Sequence, residues 1–200
     1  MPLTDIMIDL ETLNTTTDSA ILTIGAVKFD PFDRDQLDIT KTRMDVFYEK
    51  VDLDSCDKLG LTTSDDTIEW WSKQSQDAQD AAFDPEGRLD IEEAFNRLYK
   101  FCWGAKRVWS NGACFDIMIC EHVFRKIGKA VPWNFWEIRD VRTAFDLGID
   151  PKRPPVLAHH ALEDAWNQAV GIQNVYNTLR TSTNSEGHYF KPLARERSNG

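Results

Sequence analysis

The sequence is short of paired cysteines, of basic charge and of long apolar runs, and each shortage closes off a class of protein. Its four cysteines, Cys56, Cys102, Cys114 and Cys120, make no C-x-x-C pair and no dense framework, which argues for reduced thiols in a cytoplasmic protein rather than a disulfide scaffold. A zinc site drawn from Cys114, Cys120, His122 and His159 is the remaining use for thiols, and those spacings match no familiar zinc module. Lys and Arg total 23 against 33 Asp and Glu, a net charge of −10, so the surface is not a basic coat for gripping long stretches of duplex. Acidity does not exclude nucleic acid, because an acidic cleft filled with metal holds phosphates at close range. No run approaches the roughly 18 apolar residues of a membrane span, and Met1-Pro2-Leu3-Thr4-Asp5 shows no basic stretch leading into an apolar one. The expectation is a soluble, unexported protein with no membrane partner.

With 200 residues, 42% of them hydrophobic and seven of them tryptophan, the chain can bury a real core. One domain over residues 1–180 is expected, followed by a flexible tail at 181–200 that is rich in Ser, Asn and charge. Ile6–Thr12, Ala20–Phe29 and Val46–Val51 read as three opening strands in a meander. Asp52–Asp66 reads as a polar loop, and Thr67–Ser75 as a helix start. An amphipathic helix through Leu89, Ile91, Ala94, Leu98 and Phe101 precedes a short strand, Arg107–Ser110. A helix from Phe115 to the stop at Gly128, a short strand and helix within 133–147, and a long final helix from the His159 region complete the pattern. No internal repeat or low-complexity tract interrupts it.

The chemistry-bearing residues sit at the ends of these elements. Side chains alternate along a strand, so Ile6, Ile8 and Leu10 share one face while Met7, Asp9 and Glu11 share the other. Two carboxylates finishing a buried strand need a cation to offset lost hydration, which a divalent metal supplies; an isolated D-x-E also fits a solvated strand end. Asp116 falls in the first turn of a helix entered from a strand, where a lone acid is often only a dipole partner. His159 and Asp164 lie where the last helix begins. Four carboxylates and an imidazole from three segments, each at a strand end or helix entry, match the way α/β folds gather chemistry at one sheet edge. Trp70 and Trp71, neighbours on a helix, point about 100° apart, so one of them is expected to line a surface or cleft, where it could stack on a nucleobase. Arg139 and Arg142, with Arg125, Lys126 and Lys129 before them and Lys152 and Arg153 after, form the most basic region of the chain.

Asp9-Leu10-Glu11-Thr12, Phe115-Asp116 and His159-His160-Ala161-Leu162-Glu163-Asp164-Ala165 resemble the three motifs of the DEDDh 3'-5' exonucleases, the DnaQ-like branch of the ribonuclease H-like fold. The His-x-Ala-x-x-Asp-Ala spacing is that of the histidine subtype, and leaves His160 without a catalytic role. Thr67-Ile68-Glu69-Trp70-Trp71 with Gln74-Ser75, and the stretch Phe135–Thr143, resemble the bacteriophage exonuclease A and exodeoxyribonuclease VIII-like group. One departure is that Asn111 lies five residues before Asp116, with Gly112 at the position where the wider superfamily commonly has Asn.

The resemblance implies an α/β fold with a mixed five-stranded sheet flanked by helices. It implies that Asp9, Glu11, Asp116 and Asp164 hold two Mg2+ or Mn2+ ions, hard cations that prefer oxygen ligands, and that His159 takes a proton from the attacking water. The implied reaction is hydrolysis of single-stranded DNA from the 3' end to nucleoside 5'-monophosphates, with RNA 3' ends as the alternative within the same family. The backbone around Leu10, Glu11 and Thr12 would receive the terminal nucleotide, with Leu13 as a wedge between bases and Trp70, Trp71 and Arg139 completing the substrate contacts. A retained exonuclease fold used only for binding is the alternative of another class. All five catalytic-type positions are filled, which argues against it. Nothing in the sequence sets the oligomeric state.

Overall fold

The three opening strands form as β1 (Asp5–Thr12), β2 (Ile21–Phe29) and β3 (Asp45–Lys50), each antiparallel to the one before. The structure is a computed structural model and describes residues 3–33, 44–149 and 157–183. β4 (Arg107–Ser110) pairs parallel with β1, and β5 (Ile138–Asp140) pairs parallel with β4, giving the order β3-β2-β1-β4-β5. The sheet is therefore mixed and five-stranded, as expected, and β1 lies at its centre with partners on both sides.

Central placement explains why β1 is apolar on both faces. Ile6, Ile8 and Leu10 enter a core cluster under α4 (Ile91–Cys102) and α5 (Asp116–Lys126), where Phe95, Leu98, Cys120 and Phe124 meet them. Met7 points the other way, into a second cluster with Val27, Phe29 and Trp109 beneath α6 (Val141–Phe145) and α7 (Ala161–Thr183). The alternation carries Asp9 and Glu11 to the α7 face, at the end of β1 where the parallel strands also finish.

The expected loop at Asp52–Asp66 is not a loop. It contains α1 (Leu53–Lys58) and the beginning of α2 (Asp65–Ser72), and α3 (Gln76–Phe83) follows. These helices are too short and polar to show an apolar period; their signal is capping. The Asp52 side chain accepts the Ser55 N–H at 2.9 Å, and Ser75 accepts the Ala78 N–H at 3.3 Å. Most of the tail expected from residue 181, together with Lys152 and Arg153, lies outside the described residues, although α7 itself runs to Thr183. Among the described residues no helix is long and apolar enough to cross a membrane.

Candidate active site

β1 supplies two carboxylates and α7 a third. Ligand oxygens of Asp9, Glu11 and Asp164 all lie within 4.8 Å of one another, and among the described residues they are the one group of side chains converging closely enough to hold a metal ion. Cys114 and Cys120 do not converge with them: one is exposed, and the other is on the core-facing side of α5, where burial pushes its thiol up.

A glycine makes this convergence possible. Gly25 on β2 pairs with Asp9, and a Cβ there would stand 2.2 Å from the Ala161 carbonyl carbon and 2.3 Å from the Leu162 nitrogen. The first turn of α7 thus rests directly on the strand backbone, which brings Asp164 over the β1 acids. Glycine inside an apolar strand is a sequence sign of such close approach.

Three side-chain hydrogen bonds brace the turn entering α7. Glu163 Oε2 accepts the Leu157 N–H at 2.7 Å, Asp164 Oδ2 accepts the His159 N–H at 2.9 Å, and His160 Nδ1 accepts the Glu163 N–H at 3.4 Å. His160 also stacks on Tyr48, ring centroids 4.8 Å apart. His159 is held at φ +63°, a left-handed conformation unusual for a side-chain-bearing residue and one that clusters at functional sites. Its ring lies 4.8 Å from that of Trp70, in an edge arrangement.

Asp116 opens α5 beside the cluster, and its Oδ1 accepts the Leu10 N–H at 3.1 Å, tying the helix start to β1. Burial raises all four carboxyls, and like charge adds to it at the strand acids. Glu11 is pushed up to about 8 by burial and then by Asp164 and Asp116. Asp116 is pushed up to about 7, chiefly by burial. Asp9 goes well above the usual carboxylate range through burial and the neighbouring Asp116 and Glu11, and burial raises Asp164. Anions crowded to this degree are what a divalent cation relieves.

The remaining expected site residues fall in different places. Trp71 is 2% exposed, and its Nε1–H donates to the Thr12 carbonyl at 2.9 Å, so it braces the end of β1 from inside the core. Trp70 is 42% exposed, and it is this tryptophan that lines the surface next to His159. Leu10 and Leu13 are both buried in the core, Leu13 at 5% exposure. Arg139 Nη1 donates to the carbonyls of Trp136 and Ile138. The sequence reading missed Gln168, which is buried on α7 with its Nε2–H donating to Asp9 Oδ1 at 2.8 Å. The available signal was an amide one helical turn past Asp164, inside an otherwise apolar stripe.

The mixed sheet of this order brings Asp9, Glu11 and Asp164 together where β1 ends and α7 begins, with Asp116 tied to the Leu10 N–H at the start of α5. The sequence matches the profile described as the 3'-5' exoribonuclease Rv2179c-like domain over residues 4–176, and the chain belongs to that Rv2179c-like family. Among solved structures, cell-death related nuclease 4 (CRN-4) superposes with a TM-score of 0.55 at 14% identity, over 88% of this chain and 64% of the nuclease. The chain thus spans less than two thirds of that protein, and the likeness is one of fold. The nuclease domain of 3'hExo, a DEDDh family member bound to rAMP, gives 0.47 at 15% identity over 90% and 92% of the two chains. Exonuclease X in complex with 5' overhanging duplex DNA gives 0.44 at 15% identity over 87% and 92%. No curated protein matches the sequence.

Proposed function

We propose that the protein is a metal-dependent 3'-5' exonuclease that hydrolyses single-stranded RNA from its 3' end and releases nucleoside 5'-monophosphates. The observation that carries this reading is the convergence of Asp9, Glu11 and Asp164 within 4.8 Å, with Asp116 and His159 adjoining. Those four carboxylates are the residues that would hold the ions, two of Mg2+ or Mn2+. When bound, the ions neutralise the crowded acids and supply Lewis acidity to the phosphate and to water.

The protein's own groups then divide the work. Gln168 occupies one oxygen of Asp9, which fixes how that carboxylate faces the cluster. The His159 backbone N–H occupies Asp164 Oδ2 in the same way, which ties the turn carrying His159 to one of the acids. The imidazole nitrogens of His159 make it the group suited to take the proton from the attacking water. Trp70, half-exposed against His159, offers a platform for the terminal base.

The description of the matched family favours RNA over the DNA implied by the resemblance to the phage exonuclease A and VIII-like group. The two sugars differ by one 2' hydroxyl, which a protein must contact to tell them apart. The test uses 5'-labelled RNA and DNA strands of identical sequence with Mg2+. A ladder shortening from the 3' end, faster on RNA and abolished by EDTA or by Asp116→Ala, is the expected result. Faster loss of DNA would return the assignment to an exodeoxyribonuclease. Full activity in Asp116→Ala would overturn the site, and no nucleotide release with either ion would leave a binding protein on an exonuclease fold.

A further inference from the structure

We infer that Arg142 binds a backbone phosphate of the substrate strand on the Asp116 side of the carboxylate cluster, an assignment that rests on the exonuclease reading above. The sequence places Arg139 and Arg142 together in its most basic stretch, and the structure separates them. The Arg139 guanidinium is tied to its own turn, with Nη1 donating to Trp136 O at 2.7 Å and Ile138 O at 2.8 Å. Arg142, in α6, is exposed, and among the described residues its guanidinium has no hydrogen bond or ion pair.

The acids of its own strand-to-helix segment do not pair with Arg142. Asp140 accepts the Ala113 N–H at 2.8 Å and the Thr143 N–H at 3.1 Å, one on each oxygen. Asp146, one helical turn on, makes no ion pair with it among the described residues. The guanidinium fills the space left by a glycine that has no side chain. Gly112, at φ +122°, lies on the loop from β4 to α5, and a Cβ built there would meet Arg142 Nη1 at 2.8 Å, Cζ at 3.4 Å and Nη2 at 3.6 Å. The guanidinium therefore lies against the backbone of the loop that ends in Asp116, close enough for its charge to bear on that carboxyl.

A planar fork of donors, exposed and unpaired in a chain of net charge −10, fits two oxygens of a phosphodiester. The ions held by Asp9, Glu11 and Asp164 would take the scissile phosphate, so the cation beyond Asp116 meets a neighbouring phosphate of the same strand. An acidic cleft repels a polyanion, and an arginine at its rim supplies the local attraction that sets where the strand enters.

The test measures anisotropy of a 5'-labelled RNA strand in a His159→Ala background, which slows turnover, with Mg2+ across a salt series. Arg142→Gln is expected to weaken binding about tenfold or more and to reduce the slope of log affinity against log salt by about 0.7. Arg142→Lys, which keeps a point charge but not the fork, retains that slope and recovers part of the affinity. With His159 intact, Arg142→Gln raises KM about tenfold while kcat changes less than about threefold. Unchanged affinity and slope would overturn the assignment. So would equal losses in kcat and kcat/KM at constant KM, or a drop in Mn2+ affinity, since both would show that Arg142 only shapes the Asp116 loop. If the wild-type protein degrades no strand, the exonuclease reading itself fails; if it degrades RNA and Arg142→Gln matches it, only the phosphate assignment does.

Discussion

Asp9 occupies the most demanding position in the molecule. It faces Asp116 and Glu11 from within the fold, and the side chain that donates to it is Gln168. The second polar atom of that amide, Oε1, is buried without a partner among the described residues, so the bond to Asp9 is what fixes the amide's orientation. Removing a group that orients a metal-binding carboxylate typically costs about 10–100-fold in metal affinity or activity. Gln168→Leu is accordingly expected to lower Mn2+ affinity by about that factor, read by electron paramagnetic resonance, with kcat/KM falling in parallel. Wild-type affinity in this variant would remove Gln168 from the site. His159→Ala should behave differently, losing about 10²–10⁴ in turnover while Mn2+ binding persists, because none of the three converging carboxylates is touched. The two variants would separate an orienting role for Gln168 from a proton-accepting role for His159. The acids stood out in the sequence through the resemblance to the three exonuclease motifs, since strand alternation and helix position alone also fit a solvated strand end and a dipole partner. Gln168 did not, since an amide within a helix stripe acquires meaning only once α7 is laid against β1.

Whole elements were legible where they are long enough to show a period. β1, β2, β3, α4, α5 and α7 were all indicated by apolar spacing, while α1 and α3 were not, because they are held by caps and by a few buried contacts. The tryptophan pair shows how far such reasoning reaches: helix geometry required the two rings to part, and only the fold could say that Trp71 turns inward to the Thr12 carbonyl. Gly25 is the hinge between element and site. Gly25→Ala would drive a methyl into backbone atoms 2.2 Å away at Ala161, so β2 and α7 must separate. Overpacking of this kind costs about 1–3 kcal/mol or more, roughly 2–10 °C in a domain of this size. Because α7 carries Asp164 and the turn holding His159, nuclease activity should fall by more than the loss of folded protein explains. A Gly25→Ala protein with wild-type melting temperature and kcat would show that the helix does not rest on that strand.

At the scale of the whole molecule, the crowded acids of the site oppose the fold. Four carboxyls titrate above their ordinary values, with Glu11 near 8 and Asp116 near 7, so the native state holds protons that the unfolded chain has already released. Where the folded state binds more protons, stability falls as pH rises. The metal-free protein should therefore lose stability from about pH 4.5, near the unfolded carboxylate values, up through about pH 8. Exposed acids act in the opposite sense: Asp84 beside Lys50 and Glu93 beside Arg97 are held below their usual values, but solvent screens them and their contribution is complete at lower pH. A divalent ion reverses the main trend, since it binds the ionised cluster and not the unfolded chain. At a hundred times its dissociation constant it adds about 2.7 kcal/mol, or roughly 5–10 °C. Thermal melts at pH 5 and pH 8, with Mg2+ and with EDTA, should show a large metal-dependent difference at pH 8 and a small one at pH 5, where the cluster is still protonated. Asp9→Asn removes one of the crowded charges, so in EDTA at pH 8 it should melt above the wild type while gaining less from Mg2+. A wild-type protein that melts at the same temperature with and without metal at pH 8 would mean that the acids do not close on a cation, and the reading of the site would fall with it.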